Sequence, residues 1–153
     1  MNWTGKYFTL EEMTASPTAR RQGIDNTPTP DAVIALHNLV KEVLDPLREA
    51  WGAPIVVTSG YRCPKLNSCV GGVRMSQHCL GQAADIRTLS DRPSDNRKLR
   101  DLLIEIALPF DQLIDEFGCD WLHISYREGR NRKERITAYR KNHRTLYVQG
   151  FKD

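Results

Sequence analysis

Two short segments hold the residue types that could do chemistry. The first is Ser76-Gln77-His78-Cys79-Leu80-Gly81-Gln82-Ala83-Ala84-Asp85, and the second is Asp120-Trp121-Leu122-His123-Ile124-Ser125. Imidazole and carboxylate are preferred zinc ligands, and three protein ligands leave a fourth position for water. His78 and Asp85 lie seven residues apart across a turn containing Gly81, so a loop running into a strand can fold both onto one centre. The small Ala83 and Ala84 leave room for close backbone approach. His123 supplies a third ligand. Zinc in such a site lowers the pKa of its water to about 7 and polarises a carbonyl, which suits amide hydrolysis. Asp120, three residues before His123, is expected to take the proton from that water as general base and pass it to the leaving amine. Taken singly these residues say little, because a lone histidine on a strand is more often packed than ligating. The weight lies on the combination.

Such a centre needs elements to hold it. At 153 residues the chain has the commonest size for one domain, and 40% hydrophobic with 27% charged residues is ordinary globular composition. One domain over residues 1–153 is expected, able to fold without disulfides. Thr9 to Glu12 reads as a capping box for a short helix interrupted at Ser16-Pro17. Thr29 caps and Pro30 begins a longer helix, whose stripe is Val33, Leu36, Val40, Val43 and Leu47. Pro46 is expected to kink its last turn, and Gly52 to end it. Ile55 to Thr58 is a β-branched strand, Cys63 to Met75 mostly loop, and Gln82 to Ile86 a second strand. Ser94 is expected to cap a helix reaching about Leu108, with Leu99, Leu102, Leu103 and Ile106 inward. Gln112 to Asp115 and Trp121 to Tyr126 read as strands, and Ile136 to Tyr139 with Thr145 to Val148 as a terminal hairpin. Strand alternation puts His123 and Trp121 on one face and Leu122 and Ile124 on the core side. The pattern predicts an α+β domain with a small, mostly antiparallel sheet and packed helices.

The remaining features exclude more than they assert. No apolar run is long enough to span a membrane. The four cysteines, at 63, 69, 79 and 119, form no CxxC pair, so an all-cysteine zinc site is not expected and the thiols read as free. Cys79 and Cys119 adjoin site residues, but neighbours on a strand face opposite ways. His37 and His143 have no partner at ligand spacing and read as structural or solvated. The net charge of +3 is too small to argue for nucleic acid. Between Arg127 and Arg144, however, eight basic residues face two acidic ones, Glu128 and Glu134. That tail is a solvated edge or an attraction for a polyanionic surface.

The motifs S-x-H-x-x-G-x-A-x-D and D-x-x-H, preceded by Ser59-Gly60-Tyr61-Arg62, resemble the zinc D-alanyl-D-alanine peptidase family, most closely its short phage and prophage members. Phe8 to Glu12, Asp25 to Pro28, Asp45 to Arg48 and Phe110 to Ile114 extend the resemblance over about residues 8 to 126. Residues 127–153 then form basic C-terminal strands or a tail. The resemblance implies a Hedgehog/DD-peptidase-like fold and a Zn2+ cofactor held by His78, Asp85 and His123. It further implies Asp120 as base and Arg62 as the cation that holds substrate and stabilises the developing oxyanion. Ser76 is expected to brace the ligand loop. In short phage-type members the acid before the last histidine varies in position, and Glu116 is the rival base. Other divalent first-row ions suit the same ligands, so zinc rests on the resemblance and on general ligand preference.

The expected activity is hydrolysis of a peptidoglycan stem or cross-bridge amide, as a D-Ala carboxypeptidase or an endolysin-type endopeptidase. Met1 to Thr14 lacks the apolar core of a secretory signal, so a cytoplasmic start is expected, with action on the wall after release or delivery. A peptidoglycan peptide partner, a monomeric state and no nucleic-acid partner complete the reading. Its alternatives are a non-catalytic zinc domain used for binding, as in the Hedgehog signalling domain, and a phage particle or assembly protein with the same fold.

Overall fold

The computed structural model describes residues 1–153. The β-branched run after Pro54 becomes β1 (Ile55–Ser59), followed by β2 (Ala83–Thr88), β3 (Gln112–Glu116), β4 (Trp121–Ser125), β5 (Glu134–Lys141) and β6 (Arg144–Gln149). They form one sheet in the order β1-β2-β4-β3-β5-β6. Four of the five pairings are antiparallel, and β3 with β5 is parallel. The helices are α1 (Leu10–Thr14), α2 (Pro17–Gln22), α3 (Pro30–Leu39), α4 (Asp45–Trp51), α5 (Pro64–Cys69) and α6 (Pro93–Glu105). The α+β expectation holds. No helix is long and apolar enough to cross a membrane.

Helices α1, α3, α4 and α6 pack into the core on one face of the sheet. Leu36, Val40, Val43 and Leu47 are fully buried, as the stripe predicts, and share a core with Ala84, Ile86, Leu113, Leu122 and Ile124 from the strands. Thr9 and Thr29 accept from the amides of Glu12 and Ala32 and cap α1 and α3. Between α3 and α4 the chain makes a π-helical turn, Val40–Leu44, in which the Asp45 amide reaches Val40 O. Pro46 has no N–H to give, so the helix slips its hydrogen-bond register there and continues.

Several local expectations are corrected. The helix after β2 begins at Pro93 with Arg92 at the cap position, so Ser94 lies inside the first turn and caps nothing. It ends at Glu105, and Ile106 is exposed. Ser16-Pro17 ends one helix and also starts another, with Ser16 Oγ accepting from Ala19 N. The presumed loop after Cys63 contains α5, started by Pro64 and capped by Cys63 Sγ. Proline in a first helical turn gives up an amide that has no partner anyway, which is the local signal all three sites share. The terminal hairpin expected within residues 127–153 does form, as β5 and β6, and it extends the sheet beside β3.

β3 is anchored from below. Arg100 of α6, only 1% exposed, donates Nη1–H to Asp115 Oδ2 at 2.9 Å and grips Asp153 with Nη1 and Nη2 at 2.7 and 2.9 Å. Asp115 Oδ1 accepts from the Cys119 amide at 2.7 Å and so fixes the β3–β4 turn. Removing one partner of a buried pair strands the other's charge, at a cost of about 3–5 kcal/mol, whereas replacing both with apolar groups is often neutral. Arg100→Met is therefore expected to lower unfolding stability by that amount in denaturant titration, and Arg100→Met with Asp115→Asn, which removes the stranded charge but keeps an acceptor for the Cys119 amide, to recover part of it. Equal destabilisation by both variants would show that the pair does not carry this anchor.

Candidate metal centre

His78 sits on a 3-10 turn, Gln77–Leu80, immediately before β2. Ser76 Oγ accepts from the His78 amide at 3.2 Å and caps that turn, the bracing role expected of it. Gly81 closes the turn at φ +72, where a Cβ would collide with the Ala32 carbonyl, so both backbone angle and space require glycine. The His78 ring donates Nδ1–H to the Gly60 carbonyl at 2.7 Å, which leaves Nε2 facing Asp85 Oδ1 at 3.3 Å. The tautomer follows from the partner, since a carbonyl can only accept. Gly60 is itself fixed, because a Cβ there would collide with the Met13 carbonyl.

Asp85 on β2 and His123 on β4 are direct cross-strand partners. His123 Nδ1 lies 3.2 Å from Asp85 Oδ1, and the two imidazole centroids are 5.1 Å apart. One ligand atom from each of His78, Asp85 and His123 thus falls within 4.8 Å of the others. Burial pushes the Asp85 carboxyl up, but the imidazoles of His78 and His123 outweigh it and hold the group well below the ordinary carboxylate range. The donor set fits a divalent cation. Two imidazole nitrogens and a carboxylate oxygen converge, and one imidazole has its outer nitrogen committed to a carbonyl, the orientation that metal-ligating histidines use.

Arg62 joins the cluster. Its Nη2–H donates to Asp85 Oδ2 at 3.2 Å, Nε–H to Ser59 Oγ at 2.9 Å and Nη1–H to Asn67 Oδ1 at 3.2 Å. The guanidinium is held in place with two N–H groups to spare.

Asp120 is not brought in. It is exposed in the turn between β3 and β4 and lies outside the cleft. A three-residue spacing from His123 reaches past the start of β4 at Trp121, so Asp120 stays in the turn instead of standing beside His123. Glu116 is brought in. It pairs with Trp121, so it shares the face that carries His123. Burial pushes its carboxyl up to about 7, with His123 and Arg62 opposing the rise and Asp85 and Asp115 adding to it.

These groups line a cleft of about 740 Å³. The loop carrying Val73 and Met75 forms one wall, and β5 and β6 supply Ile136, Arg140 and Tyr147 to the other. Both Tyr147 and Glu116 line this cleft, where burial raises the Tyr147 phenol and the Glu116 carboxylate raises it further. A second network ties the walls together. Buried Asp111 receives Arg132 through Nε at 2.9 Å and Nη2 at 2.8 Å, and receives Gln77 Nε2 at 3.0 Å, next to His78. Tyr147, Arg132 and Asp111 escaped sequence reasoning, because their place depends on the long-range pairing of β3 with β5. The only local hint was the basic run around Arg132. His37 bonds Thr4 through Nε2 at 2.7 Å, and His143 is exposed in the β5–β6 turn, both away from the cluster. All four thiols are free, and burial pushes Cys119 up to about 12.

No curated protein matches this chain in sequence. A family model for Peptidase M15 matches residues 6–125, a span that contains every residue of the His78–Asp85–His123 cluster together with Arg62 and Glu116. The chain therefore belongs to the peptidase M15 family and is a zinc metallopeptidase by membership.

Proposed function

We propose that this protein hydrolyses an amide bond in the peptide part of bacterial cell wall, with Zn2+ held by His78, Asp85 and His123 and with Glu116 as general base. The observation that carries the reading is the convergence of His78 Nε2, Asp85 Oδ1 and His123 Nδ1 at the bottom of an open cleft that also holds a raised carboxyl. When bound, zinc supplies Lewis acidity and makes water acidic enough to attack near neutral pH. Glu116 accepts the proton of the attacking water and delivers it to the leaving amine. A carboxyl with pKa near the working pH is suited to both transfers. Arg62 steadies Asp85 through Nη2, and its spare N–H groups meet the oxyanion that develops on the attacked carbonyl. Asp120 has no part in the step. A site used for binding alone would need no titrating carboxylate beside the cluster, so Glu116 favours catalysis over the binding-domain alternative.

Digestion of defined stem peptides by zinc-loaded protein tests the assignment. Glu116→Gln is expected to lower kcat by about 10²- to 10⁴-fold with zinc content unchanged, and Asp120→Asn to stay within roughly twofold of wild type, as for a surface change. His123→Ala should lose the metal. If Asp120→Asn is as damaging as Glu116→Gln, the base has been misassigned.

The pH profile gives a second check. The base must be deprotonated to act, so activity falls as pH drops through its pKa. A bound cation draws the Glu116 value down from about 7, so the acid limb of kcat/KM should have its midpoint at or below that pH. The limb should vanish from the residual activity of Glu116→Gln, and its persistence would assign it to another group.

A further inference from the structure

Three arginines line the cleft, and two of them are already committed. Arg62 is bonded to Asp85, and Arg132 to Asp111 and Glu134. Arg140 has no carboxylate partner, and its guanidinium lies 4.9 Å from the centroid of the Phe117 ring. An aromatic face holds a guanidinium flat while leaving its N–H fork free in the plane, the geometry that takes a carboxylate through two bonds.

We propose that Arg140 is a specificity-determining residue that receives a carboxylate of the peptide substrate several residues away from the bond that is cut. The proposal rests on the peptidase reading above and names the class of peptide that the cleft selects.

Register locates the site. His123 pairs with Ile114, and Ile114 with Ile136, so these three mark one row across the sheet. Arg140 lies four residues further along β5, about 13 Å, and β5 is two strands from β4, about 10 Å. The separation of about 16 Å corresponds to about three to five residues of extended peptide once the reach of the arginine is allowed for. Residues 136, 138 and 140 share the cleft face of β5, while Arg135, paired with core residue Leu113, is on the other. Thr145 and Tyr147, opposite Arg140 and Ala138, add hydroxyls to the same wall. The whole hairpin lies beyond the family match at residues 6–125, so this contact is separate from the residues that define the chemistry.

The test uses the full zinc-loaded chain at physiological salt. Its probe is a stem pentapeptide with free carboxylates, compared with the same peptide amidated at each carboxylate in turn. Wild type is expected to prefer one free-acid form by roughly five- to tenfold in kcat/KM, as one charge-assisted contact provides. Arg140→Gln should make the acid and amide forms equal, Arg140→Lys should keep part of the preference, and Arg135→Gln should keep all of it. A preference that survives Arg140→Gln overturns the proposal. So does one lost equally in Arg135→Gln, since that is diffuse attraction by the basic hairpin. Affinity is measured in parallel on Glu116→Gln protein, with and without Arg140→Gln. If wild type cleaves no form, the peptidase reading fails, and the binding data alone decide. Tighter binding of the acid form that disappears with Arg140→Gln supports the subsite, and equal binding of acid and amide overturns it.

Discussion

A carboxylate oxygen shared between two imidazoles is the constraint on which the site depends. Asp85, 9% exposed, keeps Oδ1 within 3.3 Å of both His78 Nε2 and His123 Nδ1 while Oδ2 is taken by Arg62. A buried charge is tolerated only where its surroundings are polar, paired and fixed. Each neighbour is accordingly fixed by backbone. His123 is placed by its register with Asp85, and His78 by the Gly60 carbonyl and the turn that Ser76 and Gly81 close. A slip of one residue between β2 and β4 would carry Asp85 or His123 into the apolar layer, so the core that buries Ala84 and Ile124 also enforces the ligand geometry.

The same alternation makes β3 the hinge between stability and chemistry. Asp115 points down to Arg100 and the Cys119 amide, while the next residue, Glu116, points up into the cleft that holds the His78–Asp85–His123 cluster. The ion pair below restrains the strand whose next side chain is the candidate base. A carboxyl raised by burial can stay in reach of the reacting atoms only if its backbone does not give way, and here the restraint is one peptide unit away.

How far the site could be read from the sequence follows from the range of the forces involved. His78, Asp85 and His123 were legible because their types are specific and each lies near a local signal, Gly81 for the turn and Leu122 with Ile124 for the strand face. The strands were legible for the same reason, to within a residue or two at most ends. Acid-x-x-His counts residues without regard to where the strand begins, so it misplaces Asp120, which stays exposed in the turn, and the place of Glu116 is visible only once β3 is paired with β4. The π-helical turn before Pro46 could not be seen in a hydrophobic stripe that runs through it unbroken. The terminal hairpin was recognisable as two strands, but no local pattern records that β5 runs parallel to β3 and so forms a wall of the cleft.

That division has a consequence for selectivity. The candidate metal ligands sit on β2, β4 and the turn before β2, all inside the family segment, whereas much of the facing wall is built by residues 134–149. A cleft of about 740 Å³, lined from Val70 and Met75 to Thr145 and Tyr147, has room for more of a chain than the reacting bond. Contacts remote from that bond accelerate a reaction only when they hold the substrate in its reactive pose, because uniform binding of ground and transition states does not raise kcat. The Asp111 network offers a physical link for such a contact. It joins Arg132, at the start of the hairpin, to Gln77, the neighbour of a metal-ligand candidate, through one buried carboxylate. A peptide that rests on β5 and β6, as proposed, would therefore meet a wall joined by hydrogen bonds to the turn that carries His78.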